Sequence, residues 1–144
     1  MRLISTAFSS MLLVSLFVPV AWALPDMVSL VSISANNVPV GQSVVVSVTT
    51  TNAGNTAAAE SYTRMCGEGS CYPYTVPPLN PGQSGTSTHD FVCPEGGSFS
   101  WHSNADEGEW IAESNEDNNE YQVFVECIAP PRPTARPDFN HFNA

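Results

Sequence analysis

Apolar and polar residues alternate over short stretches of this chain, and turn residues break the alternation repeatedly. Within Gln42–Thr51, Val44, Val46, Val48 and Thr50 share one face of an extended strand, and Val45, Ser47, Thr49 and Thr51 share the other. From Ser98 to Asp106, Phe99, Trp101, Ser103 and Ala105 point one way while Ser100, His102 and Asn104 point the other. Glu120–Cys127 sets Tyr121, Val123 and Val125 against Gln122, Phe124 and Glu126. Met27–Ser34, Ala59–Cys66, Cys71–Val76 and Thr86–Val92 read as strands as well. The breaks fall at Asn52-Ala53-Gly54-Asn55, Gly67-Glu68-Gly69-Ser70, Pro77–Gly82 and Pro94–Gly97. No window of helical length repeats at a helical period. Seven short strands with turns between them predict an all-β, immunoglobulin-like sandwich. Val48, Phe99, Trp101 and Tyr121 are expected in its core, and Ile111 is expected to plug one end.

The chain ends do not share this pattern. Met1 and Arg2 precede the apolar run Met11–Val20, and Ala21-Trp22-Ala23 is a small-x-small cleavage site. That order predicts a secretory signal peptide over residues 1–23, with an apolar run too short to span a bilayer. No second long apolar run follows, so the mature chain is expected to be soluble, without a membrane span, and extracellular or periplasmic. Residues 24–128 form the predicted domain. Residues 129–144 are rich in proline and read as an extended tail, with Phe139, His141 and Phe142 as its anchors if it docks.

Charge narrows the partners. The 144-residue chain has four Lys+Arg against 14 Asp+Glu, a formal charge of −10. Loss of Arg2 with the leader leaves three arginines against those 14 acids, or −11. Such a surface repels phosphate backbones and anionic lipid, which excludes nucleic acid as a partner. The partner class that remains is an extracellular or envelope protein or glycan.

Cys66, Cys71, Cys93 and Cys127 are an even number in an exported chain and predict two disulfides rather than a zinc site, for which no C-x-x-C spacing exists. If the strands alternate in direction, all four cysteines lie at one end of the sandwich and the acidic loop at the other. Cys66–Cys71 across the hairpin with Cys93–Cys127 between strand ends is the favoured pairing. Cys66–Cys127 with Cys71–Cys93 remains geometrically open.

Several motifs resemble those of the CARDB family, named for cell adhesion in bacteria. Pro25-Asp26-Met27-Val28 is similar to its P-D-L-V opening, and Val40-Gly41-Gln42-Ser43-Val44 to its G-x-x-V segment. Thr51–Asn55 fits its N-x-G-N turn, and Val76, Leu79 and Pro81-Gly82-Gln83-Ser84 fit V…L-x-P-G-x-S. Asp106 with Ile111–Asn119 fits D…I-x-E-x-N-E-x-N-N. The resemblance covers about Leu24 to Ile128. It implies an immunoglobulin-like sandwich acting as a binding or spacing module, with no shared catalytic residues. The chain departs from the family pattern in its four cysteines, in Gly108-Glu109 where Asp-Asn is frequent, and in carrying a single copy.

The acidic loop is the candidate binding surface: Asp106, Glu107, Glu109, Trp110, Glu113, Asn115, Glu116 and Asp117. Its hard oxygens suit Ca²⁺, with Asp106, Glu107, Glu109 and Asp117 as candidate ligands, although the EF-hand register is missing and no other cofactor motif is present. The same Asn and Asp side chains also suit the satisfaction of backbone groups in a tight loop. Tyr62, Tyr72 and Tyr74 are candidates for an aromatic surface. A hydrolase finds little support: Gly82-Gln83-Ser84-Gly85 lacks the second glycine of a nucleophile elbow, and adjacent His89 and Asp90 face opposite sides of a strand. The expected function is a secreted, non-catalytic binding or adhesion module, with a small secreted hydrolase or enzyme inhibitor as the alternative.

Overall fold

The computed structural model describes residues 23–133. All but the last residue of the expected leader, and the tail from residue 134 onward with Phe139, His141 and Phe142, lie outside the described residues. The strands are β1 (Met27–Ile33), β2 (Asn37–Pro39), β3 (Ser43–Asn52), β4 (Ser61–Gly67), β5 (Ser70–Val76), β6 (Ser84–Val92), β7 (Gly97–Asn104) and β8 (Glu120–Ile128). They form two layers, a three-stranded sheet in the order β1-β3-β6 and a five-stranded sheet in the order β2-β8-β7-β4-β5.

Among the described residues eight strands are present where the alternation predicts seven. The addition is β2, three residues pairing in parallel with β8. Only Val38 of β2 points inward, so its sequence holds no period to read. Elsewhere the alternation sets the faces. Val44, Val46, Val48 and Thr50 of β3 are all buried, and Trp101 and Ser103 of β7 are fully shut from solvent. Tyr121 departs from expectation: it starts β8 on the inward parity but lies at the sheet end, 43% exposed.

The interior has two apolar clusters. The larger contains Val46, Val48, Met65, Phe91, Trp101 and Val125. The smaller contains Met27, Ala58, Val76, Leu79, Ala105 and Ile111 and closes the loop end. Hydroxyls bridge the sheets. Thr50 Oγ1 of β3 bonds Thr63 Oγ1 of β4 at 2.6 Å, and Ser103 Oγ of β7 donates to Ser29 Oγ of β1 at 2.8 Å. Ser29 Oγ donates onward to the Asn119 carbonyl at 2.6 Å. Each hydroxyl would cost free energy if buried alone, and each satisfies the other.

Both favoured disulfides form, Cys66–Cys71 and Cys93–Cys127. They do not share one end of the sandwich. Cys127 pairs in register with Gly97 at the start of β7, whereas Cys66 pairs with His102, five residues further along. At 3.3 Å per residue that is roughly 17 Å. The offset is set by the register of β4 on β7, which pairs Gly67 with Trp101; there a Cβ would collide with the indole, so the position suits glycine.

Two stability outcomes follow. Thr50→Val and Thr63→Val each orphan the partner hydroxyl and should each cost about 1–3 kcal/mol, while the double variant should cost clearly less than their sum. Urea unfolding of the four proteins measures this, and additive costs would contradict the bridge. Removing Cys93–Cys127, which closes the longer loop, should cost about 3.5 kcal/mol against about 2 kcal/mol for Cys66–Cys71, read from the same titration.

Candidate functional site

The loop between β7 and β8 gathers the sequence-predicted residues at one end of the sandwich, and it divides them by role. Asp106 is buried and its Oδ2 accepts the Ile111 N–H at 2.8 Å, folding the loop so that Ile111 enters the smaller cluster. Glu113 is also buried: Oε2 accepts the Met27 N–H at 2.5 Å, and Oε1 accepts from Asn119 Nδ2 at 3.3 Å. Glu116 Oε1 accepts the Glu113 N–H, and Asn115 Oδ1 accepts the Asp117 N–H. These four side chains hold backbone, as Asx and related turns do. Asn118 Nδ2 donates to Asp26 Oδ1, and the Ser114 N–H donates to the Pro25 carbonyl, which ties the loop to the start of the domain.

Glu107, Glu109 and Trp110 face outward. Glu107 forms an ion pair with Arg64 of β4, and its N–H donates to the Tyr62 carbonyl. Arg64 is therefore engaged by the loop. Trp110 is 69% exposed, and its ring meets Tyr62 edge-on at a centroid distance of 5.2 Å. The indole lies over Gly108, where a Cβ would collide with it. Tyr62, Pro73, Asp106, Glu107, Gly108 and Trp110 line an open, mainly apolar groove of about 350 Å³. Tyr62 and Pro73 belong to this groove although the sequence reading did not join them to the loop. The signal that joins them is strand parity with register, which puts Tyr62 and Arg64 on the outer face of β4.

The three tyrosines do not form one surface. Tyr62 points outward, while Tyr72 and Tyr74 of β5 are half-buried and pack against the larger core cluster. Tyr72 stacks on His89 at 4.0 Å between centroids, and His89 lies 5.4 Å from Trp101. His102 is on the opposite, exposed face, and the adjacent Ser103 points inward to Ser29. These placements assemble no His–Ser pair for nucleophilic chemistry.

A second cavity, about 310 Å³ and polar, shares Asp106 and Glu107 with the first. Asn104, Glu109, Glu116, Asp117, Asn119 and Glu120 complete its lining. Among the described residues no three His, Cys, Asp or Glu groups converge into a preformed metal cluster. All four candidate calcium ligands, Asp106, Glu107, Glu109 and Asp117, do reach this one cavity.

The comparisons with known proteins agree with this architecture. The CARDB family model matches residues 24–123. The chain belongs to the CARDB family. The CARDB domain of the PF1109 protein from Pyrococcus furiosus, solved in complex with di-metal ions, is 22% identical with a TM-score of 0.69; the match covers 76% of this chain and 98% of that one. A putative cell surface protein domain from Methanosarcina acetivorans is 23% identical with a TM-score of 0.59, covering 73% of this chain and 93% of that one. A stretch of the β-glucosidase EmGH1 from Erythrobacter marinus has the same fold at 11% identity and a TM-score of 0.52, covering 72% of this chain but 16% of the enzyme. No curated protein matches the chain. CARDB domains are adhesion-related, non-catalytic modules. The family signature thus coincides with side chains that hold backbone here: Asn52, Asp106, Glu113, Asn115 and Glu116.

Glu113 carries a pH signature. Burial raises its carboxyl from 4.5 to about 7, the nearby Glu116 and Asp106 push the same way, and the bonds from Met27 and Asn119 oppose the rise. The folded protein then holds this proton where the unfolded chain has released it, so the stabilisation is complete below pH 4.5 and is lost as pH rises through 7. Glu113→Gln removes the titration. Melting curves in EDTA should show the Gln variant gaining on wild type between pH 5 and pH 8; parallel pH profiles would contradict the assignment.

Proposed function

We propose that this CARDB domain is an exported, non-catalytic binding module whose contact surface is the groove around Trp110 at the loop end. The observation that carries this is the exposed indole, braced edge-on by Tyr62 and seated over Gly108. A large aromatic left in solvent against a rigid support has the anchor form found at binding hot spots. The partner class is an extracellular or envelope protein or glycan. The flat apolar groove with carboxylates at its border suits a sugar face or an aromatic-binding segment, and the surrounding negative charge disfavours anionic polymers.

Export is supported by the leader pattern at the chain start and by two disulfides, which persist in oxidising compartments. The extracellular space or the periplasm is accordingly the proposed location. His102 faces solvent, Ser103 gives its hydroxyl to Ser29 in the interior, and His89 packs against Tyr72 and Trp101, which supports a module without catalysis.

Retention of the full chain on the producing cell's envelope fractions and on immobilised envelope glycans tests this reading. Trp110→Ala should weaken retention about thirtyfold, the ratio for loss of a hot-spot residue contributing about 2 kcal/mol. Its melting temperature should hardly change, because the ring is mostly exposed. Equal retention of the variant and wild type on every fraction would refute the contact surface.

A further inference from the structure

Two of the residues lining the polar cavity beside the loop each carry a side-chain oxygen with no hydrogen-bond partner among the described residues. Asp106 is 2% exposed and Asn119 is 7% exposed, and both line the cavity. Asp106 Oδ1 and Asn119 Oδ1 are buried without a hydrogen-bond partner among the described residues. Their other atoms are committed. Asp106 Oδ2 accepts from Ile111, Asn119 Nδ2 donates to Glu113, and the Asn119 carbonyl accepts from Ala105 N–H at 2.9 Å and from Ser29. The Ala105–Asn119 bond lies just past the last register pair of β7 and β8, Asn104 with Glu120, so both residues are fixed by the end of the ladder. An unpaired buried carboxylate oxygen costs free energy that a bound cation would recover.

We propose that this cavity is a divalent-cation site of the Ca²⁺ class, with Asp106 Oδ1 and Asn119 Oδ1 as its fixed ligands. The exposed carboxylates of Glu109, Asp117 and Glu120 line the same cavity and complete the shell by side-chain rotation, together with water, whereas Glu116 is held by the Glu113 N–H. Glu107 is the exception among the sequence-predicted ligands, since Arg64 neutralises it. An all-oxygen donor set of irregular geometry suits Ca²⁺, which takes six to eight oxygens flexibly, better than Mg²⁺, which demands a near-ideal octahedron. No sulfur or imidazole lines the cavity, so the donor set does not suit zinc. A site with two fixed ligands and mobile rim groups belongs with extracellular modules, whose dissociation constants lie at about 0.1–1 mM. The site does not depend on the Trp110 groove having a partner, so the two readings can fail separately.

Calorimetry and melting curves on the EDTA-stripped full chain provide the test, with CaCl₂, MgCl₂ and NaCl at matched ionic strength. Calcium should give saturable heat near one site per chain. At ten times the dissociation constant it should raise the melting temperature by about 5 °C over the NaCl control. Asp106→Asn should weaken binding at least tenfold. Because Asp106 also supports Ile111, the exposed rim variant Glu120→Gln serves as a second probe and should weaken binding severalfold with the fold intact. Glu95→Gln removes the same charge near Cys93, at the far end of the sheet, and should leave binding unchanged. Absence of heat at 10-fold above the expected range, a rise matched by NaCl or MgCl₂, or equal losses in Glu120→Gln and Glu95→Gln would each overturn the proposal.

Discussion

Backbone groups shut away from water must find partners, and at the loop end of this sandwich side chains provide them. Asn52 is completely buried, and its carboxamide makes four bonds: Oδ1 accepts from the Asp26 and Gly54 N–H groups, and Nδ2 donates to the Thr56 and Leu79 carbonyls. Its own N–H and carbonyl bond Gln83 and Gly82. One residue thereby joins the domain's first strand, the turn after β3 and the crossing before β6. Asp106 and Glu113 do comparable work for Ile111 and Met27. If these bonds were absent, the smaller apolar cluster would have no wall, because Met27 and Ile111 are both placed in it by them.

The hydroxyl bridges obey the same constraint within the core. Thr50–Thr63 and Ser29–Ser103 cross from one sheet to the other, where apolar contact alone would fix no unique alignment. Directional bonds do fix it, because sliding one sheet over the other would part each hydroxyl from its partner and leave both buried and unpaired. Within the five-stranded sheet, the pairing of β4 with β7, Arg64 opposite Asn104, places β4 beside the β7–β8 loop, so that Tyr62 and Arg64 meet Trp110 and Glu107. The groove is a consequence of strand register.

The strand faces were legible because side-chain direction has a period of two, and β3 and β7 keep that period over their whole length. The favoured disulfide pairs formed, but strand order alone left Cys66–Cys127 with Cys71–Cys93 open, because it set all four cysteines at one end; the observed offset along β7 is what separates the two pairs. β2 was not legible, since three residues with one buried valine carry no period. The offset between the disulfides depends on the register of β4 and β8 against β7, a pairing between distant segments with no local trace. Tyr121 keeps the inward parity and is exposed because burial at a sheet end depends on what covers the end. In the acidic loop the residue types were visible while their division was not. Glu113 and Glu107 look alike in sequence, yet one accepts a buried backbone N–H and the other meets the arginine of β4.

That division decides what the loop's charge can do. Carboxylates consumed by backbone bonds have no capacity left for a ligand, and sequence density alone overstates the available donors. Asp106 differs because it splits its two oxygens: one builds the loop and the other has no partner among the described residues. The same residue lines both the polar cavity and the aromatic groove, as does Glu107. A cation held by Asp106 would therefore reduce the negative field at the Trp110 surface without touching the indole. In a domain whose predicted body keeps a single arginine, such local neutralisation would change which partners approach, since long-range repulsion acts before any contact is made. On the two proposals above, the loop end would join two physical functions through one carboxylate, anchoring by an aromatic ring and adjustment of the charge around it.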